Sequence, residues 1–286
     1  MFRETKIFEM KVTLMIKNLI RRFAYFFAMM FATPKMANFH YFLLKTSLRG
    51  IGVMNYYDLV VSGENFFVTN ILPRFVQSAK PVFFDVGANR GEYSLMLASK
   101  FPQAQIFAFE PHPRNFEFLG QAKIQNLLPQ QLALSNIVGQ FTLYDHEDSD
   151  WSWDASLYKD VISEILHRNS VSYTVQVATL DSFTQSLDIN FIDFLKIDVE
   201  GSELAVLQGA PSLLEKNQIG VIQFEFNEMN IISRSFFYDF RKILHNYALF
   251  RLLPKGLLSI PESPLLTELF GFQNIVAVHK NKLHLF

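Results

Sequence analysis

The pattern of apolar and polar positions divides the chain into a helical leader and a body in which strands alternate with helices. Phe8, Val12, Met15, Ile16, Leu19, Ile20 and Phe23 share one face at helical spacing, opposite Lys11, Lys17, Asn18, Arg21 and Arg22. This amphipathic basic pattern runs into ten apolar residues, Phe23 to Ala32, that stop at Thr33-Pro34-Lys35. A spanning helix needs about 20. Residues 36–48 read as a second short helix. In the body, the spacing predicts helices from Ser62-Gly63-Glu64 to about Gln77, over 92–100, from Pro113 to Ile124, and over about 235–246. Strands are predicted at Val82–Asp85, Gln105–Glu110, Leu132–Ser135, Gly139–His146, Val171–Leu180, from Phe191, at Val221–Glu228, Tyr247–Leu252 and Gln273–His279. Asp181 reads as the cap of a short helix, and another helix ends at Gly209. Strands alternating with helices imply βαβ crossovers, hence an α/β fold with a parallel sheet.

The candidate chemistry begins where the first strand ends. Phe83-Phe84-Asp85-Val86-Gly87-Ala88-Asn89-Arg90-Gly91 is a buried strand closing on an acid, then a glycine turn opening a helix. Gly87 and Gly91 are expected to let a ligand approach the backbone with no Cβ in the way. Neither G-x-G-x-x-G nor G-x-x-x-x-G-K-[ST] is present, so the turn does not read as a pyrophosphate or nicotinamide site. A leading carboxylate suits a ligand with cationic and hydroxyl groups, and S-adenosylmethionine has an ammonium, a sulfonium and a ribose. Glu110 ends the second predicted strand, where an acid is placed to accept ribose hydroxyls. Asp198 and Glu200 end the strand from Phe191, and Glu225 and Asn227 lie on the next, so all should face the same crevice at the carboxyl ends of the strands.

Composition narrows this picture. Among 286 residues there are 31 Phe and no Cys, which removes disulfides, thiolate nucleophiles and Cys-ligated metals. The net charge of -1 conceals nine Lys/Arg against two acids in residues 1–50. That leaves a basic leader of +7 on an acidic body of −8. The body carries no basic stripe, which argues against a nucleic-acid partner. Asp148, Asp150 and Asp154 surround Trp151 and Trp153, with Tyr158 nearby. This insert reads either as a sugar-binding rim or as a loop tied down by its tryptophans.

The chain resembles the FkbM family of S-adenosylmethionine-dependent methyltransferases. The resemblance rests on Phe84 to Gly91, on Phe109-Glu110-Pro111-His112-Pro113, and on Thr179-Leu180-Asp181-Ser182-Phe183. Its most specific part is Leu195-Lys196-Ile197-Asp198-Val199-Glu200-Gly201-Ser202-Glu203, continuing to Leu207-Gln208-Gly209-Ala210. It covers about residues 60–280. It implies a doubly wound, mostly parallel seven-stranded sheet of the class I methyltransferase type, extended here by the N-terminal helices. Residues 1–50 are thus expected to form the leader and 51–286 the methyltransferase domain. It implies methyl transfer to a hydroxyl of a sugar, glycan or polyketide-like acceptor, and an S-adenosylmethionine site around Asp85, Gly87, Ala88, Asn89, Gly91, Tyr93, Ser94, Glu110 and Ala133. Arg90 stands where the family often has a smaller or apolar residue.

Alignment of an oxygen with an activated methyl supplies much of such a reaction, and a base for the hydroxyl proton adds about 10²–10⁴-fold. Glu200 is the first choice as base, with Asp198 orienting the ligands and Glu225 the third carboxylate of the site. His112 is a further candidate base. Asp198, Glu225 and Asn227 also form an all-oxygen set suited to Mg²⁺, though no metal is assigned. The rival of a different class is a binding or scaffold protein that keeps the fold without turnover. The leader reads as a membrane-surface helix, with contact through residues 7–32, as a signal peptide with a long charged region and no clean A-x-A site, or as a helix packed on the domain or a second subunit. The protein is expected in the cytoplasm, and a surface helix would place it at the inner face of a membrane.

Overall fold

The computed structural model describes residues 2–147 and 155–286, with side chains from residue 13 onward. Asp148, Asp150, Trp151, Trp153 and Asp154 lie outside the described residues, as do the side chains of Phe8 and Val12. The chain divides into two compact units, residues 1–50 and residues 51–286.

The first unit is a helix from Phe2 to Phe31, a tight turn at Pro34–Met36 and a helix from Ala37 to Gly50. The proline at position 34 has no N–H to continue the first helix, so the chain folds back there. Phe27 packs on Phe31 with ring centroids 5.2 Å apart and edge-on against His40 at 5.5 Å. His40 Nε2 donates to the Phe31 carbonyl at 2.9 Å. Leu19, Phe23, Phe26, Met30, Phe42 and Leu44 are all exposed. No helix among the described residues is long and apolar enough to cross a membrane.

The second unit is built on β1 (Val82–Val86), β2 (Gln105–Phe109), β3 (Leu127–Gln130), β7 (Ile192–Ile197), β8 (Ile219–Phe226), β9 (Tyr247–Leu253), β10 (Gly256–Ser259) and β11 (Gln273–His279). These pair in the order β10-β9-β11-β8-β7-β1-β2-β3. β3, β2, β1, β7 and β8 run parallel, and β11 is antiparallel to both β8 and β9. The doubly wound, mostly parallel sheet is therefore present with eight strands. The added strand is β10, which folds back on β9 across the two residues Pro254 and Lys255.

Alternation along the strands sorts the core into two layers. Phe84, Val86, Leu195 and Ile222 pack on one face, under the helices Leu180–Ser186, Glu203–Gln208 and Phe237–Ile243. Phe83, Ile106, Phe194 and Val221 pack on the other, with the helix Glu92–Lys100 and the stretch Glu64–Phe75. That stretch widens over Phe67–Ile71 just before Pro73, which cannot donate to a regular helical ladder.

Three sequence expectations are corrected. Leu127–Gln130, not Leu132–Ser135, supplies the third parallel strand; Pro129 obscures it in the sequence, and its edge position tolerates the missing N–H. Ala133–Leu134 (β4) instead joins β5 (Gly139–His146) and β6 (Ser170–Ala178) in a separate sheet ordered β4-β6-β5. β5 and β6 pair antiparallel from Gly139 opposite Val177 to His146 opposite Ser170. Their apolar–polar alternation suits a sheet buried on one face, whereas the central strands are mostly apolar. Finally, Thr179 rather than Asp181 caps the helix Leu180–Ser186, accepting from the Ser182 N–H at 3.0 Å. Asp181 is spent on the N–H groups of Ser212 and Leu213.

Candidate active site

β1, β2, β7 and β8 end at one edge of the sheet, and a cavity of about 1040 Å³ opens there. It is lined by Asp85, Gly87, Ala88, Asn89, Tyr93, Glu110, Ala133, Asp198, Glu200 and Glu225, among others. The structure thus brings most of the expected site residues together. Gly91 and Ser94 do not line it.

The turn after β1 is fixed from both sides. Gly87 and Ala88 donate their N–H groups to the Phe109 carbonyl, each at 2.9 Å, and the Asp198 N–H donates to the Val86 carbonyl at 2.9 Å. Glu110 accepts the Asn89 N–H on one carboxylate oxygen and the His112 N–H on the other, both at 2.8 Å. Each oxygen keeps a further lone pair for a ligand hydroxyl. Burial pushes Glu110 up to about 7, against the lowering effect of those two N–H groups. Asp85 is likewise buried and raised to about 6, although Ser94 Oγ donates to it at 2.5 Å. Ser94 therefore supports Asp85 from outside the cavity lining.

The glycines are required by the protein's own packing. A Cβ on Gly87, at φ +83°, would lie 1.7 Å from the Asp198 carbonyl oxygen. One on Gly91, at φ +89°, would meet Leu119 at 2.6 Å. Gly87 is thus what allows β1 and β7 to close on each other at the site.

A polar row crosses the sheet beneath the cavity, and sequence reading missed it. Asp85 on β1 is the register partner of Lys196 on β7, which is the partner of Gln223 on β8. Lys196 Nζ is buried 3.1 Å from Asp198, 3.5 Å from Glu64 and 3.8 Å from Glu225. Burial alone would lower Lys196, but the carboxylates of Asp198, Glu64 and Glu225 overcome it and hold the ammonium well above its ordinary range. Gln223 donates to Glu64 at 2.8 Å and to Asn274 at 2.9 Å, and accepts from the Tyr93 hydroxyl at 2.7 Å. The Tyr93 hydroxyl is therefore committed to this network, and only the rest of the side chain is left to the cavity. The available signal was a lysine inside a mostly apolar strand.

Asp198, Glu200 and Glu225 sit together above this row. Glu225 is raised well above the carboxylate range, first by burial and then by Asp198. Glu200 adopts φ +49° in the turn, and its carbonyl accepts from Ser156 Oγ at 2.7 Å. Glu203 holds the turn from within, accepting the Val199 and Gly201 N–H groups at 3.2 and 3.0 Å and the Asn230 amide at 3.1 Å. Ser202, buried in the wall of the cavity, has a hydroxyl with no hydrogen-bond partner among the described residues.

Two sequence candidates fall away. Asn227 spends its side-chain oxygen on the Met229 N–H at 3.0 Å, while the Lys196 ammonium sits beside Asp198 and Glu225, so the set does not fit Mg²⁺. His112 lies outside the cavity, 3.4 Å from Asp145 and edge-on to Tyr173, fastening β2 to the small sheet. Arg90, whose role the sequence leaves open, lies over the Phe118 ring at 4.8 Å and also lines the cavity.

The chain is similar to known methyltransferases. The chain is 26% identical over 165 residues to the 2-O-methyltransferase NoeI of Sinorhizobium fredii, covering 54% of this chain and 67% of the relative. It is 27% identical over 147 residues to the hexuronic acid methyltransferase AglP of Haloferax volcanii, covering 50% of this chain and 55% of that one. Among solved structures, an FkbM methyltransferase from Methylobacillus flagellatus aligns at 13% identity and a TM-score of 0.43, over 74% of this chain and 47% of that one. The model of the methyltransferase FkbM domain matches residues 85–252, more than half of the sequence. The chain belongs to the FkbM methyltransferase family.

Proposed function

We propose that the protein transfers the methyl group of S-adenosylmethionine to a hydroxyl oxygen of a sugar, glycan or polyketide-like acceptor. The observation that carries this reading is one cavity with Glu110 and the turn Gly87–Asn89 at one end and three clustered carboxylates at the other. The names of two relatives, a 2-O-methyltransferase and a hexuronic acid methyltransferase, favour oxygen on a sugar. When bound, S-adenosylmethionine supplies a methyl already activated on a sulfonium. Glu110, with its free lone pairs, and the turn over Gly87, Ala88 and Asn89 hold the nucleoside, and the acidic surroundings of Asp85 and Asp198 favour its cationic groups. Glu200 would take the proton released from the acceptor hydroxyl when that oxygen accepts the methyl group from the sulfonium. Asp198 is anchored by Lys196 and orients the ligands. Mixing the protein with methyl-labelled S-adenosylmethionine and a panel of methyl glycosides tests this reading. Labelled methyl ethers are expected, and labelling of amines alone would refute oxygen transfer.

We infer in addition that residues 7–32 contact the surface of an anionic membrane. Exposed Leu19, Phe23, Phe26 and Met30 alongside Lys17, Arg21 and Arg22 support this partner. Full-length protein is expected to float with phosphatidylglycerol vesicles and not with phosphatidylcholine vesicles. Equal recovery with both would refute the electrostatic part, and recovery with neither would refute the contact.

A further inference from the structure

Tyr56 and Tyr57 are 54% and 60% exposed, yet both line the cavity that holds the clustered carboxylates. Their rings stack at 5.1 Å, and Tyr56 stands edge-on to Phe272 at 6.0 Å. The platform is held in place. The Met54 N–H donates to the Phe272 carbonyl at 2.6 Å, and Gly52, at φ +82°, packs against the Leu252 carbonyl, where a Cβ would come within 2.8 Å. On the far side of the tyrosines, Asp58 accepts the N–H groups of Val60 and Val61 at 2.8 Å each.

Register places this platform at one end of the cavity. Phe272 immediately precedes β11, whose Gln273 and Asn274 pair with Phe226 and Glu225 on β8. Glu110 follows β2, and the sheet order runs β8-β7-β1-β2. Three strand spacings of about 4.8 Å separate β8 from β2. The rings therefore rise beside Glu225, across the carboxylates from the nucleoside end.

We propose that Tyr56 and Tyr57, backed by Phe272, form the acceptor platform, on which a sugar ring lies with its apolar face against the aromatic rings and its hydroxyls toward Glu200 and Glu225. The proposal rests on the O-methyl transfer reading and names the surface that selects the acceptor. Exposed, preorganised rings present apolar area at low entropic cost, while nearby carboxylates accept the hydroxyls. The platform residues lie outside the family-matched segment 85–252. Acceptor choice thus falls to parts of the chain that the family core does not include.

The test is saturation-transfer NMR on the full chain with saturating S-adenosylhomocysteine, using methyl glycosides of glucose, galactose, mannose, rhamnose and glucuronic acid as probes. At least one sugar is expected to receive saturation on its ring protons, and Tyr56→Ala and Tyr57→Ala should weaken its binding about three- to tenfold. Tyr238→Ala, at an exposed tyrosine outside the cavity, should leave it unchanged. Calorimetry of each variant with S-adenosylhomocysteine should match the parent within about twofold. Transfer to no probe, or equal transfer to the parent and both alanine variants, overturns the proposal. Loss of S-adenosylhomocysteine affinity in Tyr56→Ala with sugar binding intact also overturns it, since the rings would then serve the cofactor. Failure of the parent to bind S-adenosylhomocysteine, with sugar contact at the tyrosines preserved, would instead refute the methyl-donor reading alone.

Discussion

Lys196 and Asp198 stand two residues apart across the end of one strand, with the ammonium 3.1 Å from the carboxylate and almost wholly buried. The same ammonium answers Glu64 and Glu225, so one cation holds three acids at the floor of the site. Removing it would leave these carboxylates facing one another without compensation. Lys196→Met, which preserves the length of the stem, is expected to destabilise the fold by about 3–5 kcal/mol at pH 8. The loss should shrink at pH 5, because burial holds Glu225 well above the usual carboxylate range and favours its protonated form. Urea unfolding at both pH values measures the difference, and an equal loss at each would show that packing rather than charge dominates.

Asp85 and Glu110 carry raised values of about 6 and about 7, against ordinary values of 3.8 and 4.5. Between about pH 4 and pH 7 the folded state holds protons at these groups that the unfolded chain has released. Their contribution to stability therefore falls as pH rises through that window, by roughly 3 kcal/mol per group. Glu110→Gln, which cannot titrate, should flatten the fall in thermal midpoint between pH 4 and pH 7 relative to the parent. A slope unchanged by the substitution would contradict the burial of an ionising Glu110.

Two glycines make opposite predictions. Gly87→Ala forces a Cβ onto the Asp198 carbonyl at a left-handed backbone position, and should cost about 2–4 kcal/mol and prevent cofactor binding. Gly120→Ala has open space around it near the end of the helix Pro113–Gln121, and should be neutral or stabilising by about 0.5–1 kcal/mol. Chemical denaturation of both variants checks the pair.

Glu200→Gln is expected to lower kcat about 10²- to 10⁴-fold while leaving S-adenosylhomocysteine affinity unchanged. The pH–rate profile should lose its acidic limb. An active variant with an unaltered profile would move the base to Glu225 or to solvent.

Much of this architecture is legible in the residues. Asp85, Glu110 and Asp198 each close an apolar run at a turn, so a local pattern marks both the strand and the carboxyl end where a ligand sits. Lys196 and Gln223 are less visible. Each is a polar residue inside a mostly apolar strand, beside Asp193 in β7 and Glu225 in β8, and only strand register aligns them with Asp85. Glu64 reaches the same row from 159 residues away from Gln223, a relationship that no local window contains. The glycine pattern locates the turn, but the close approach of Gly87 to the backbone of Asp198 is a tertiary contact that no local window contains. Tyr56 and Phe272 meet only through tertiary structure, so the aromatic surface at the cavity escaped sequence reading, which looked to Trp151 and Trp153 instead.

The central claim is that the turn after β1, closed by Glu110, holds S-adenosylmethionine. Calorimetric titration of the folded protein with S-adenosylhomocysteine, alongside NAD, tests it most directly. The account predicts micromolar binding of S-adenosylhomocysteine, no binding of NAD, and loss of the signal in Glu110→Ala. A folded parent that gives no heat with S-adenosylhomocysteine, or a Glu110→Ala variant that binds it as the parent does, would contradict the account.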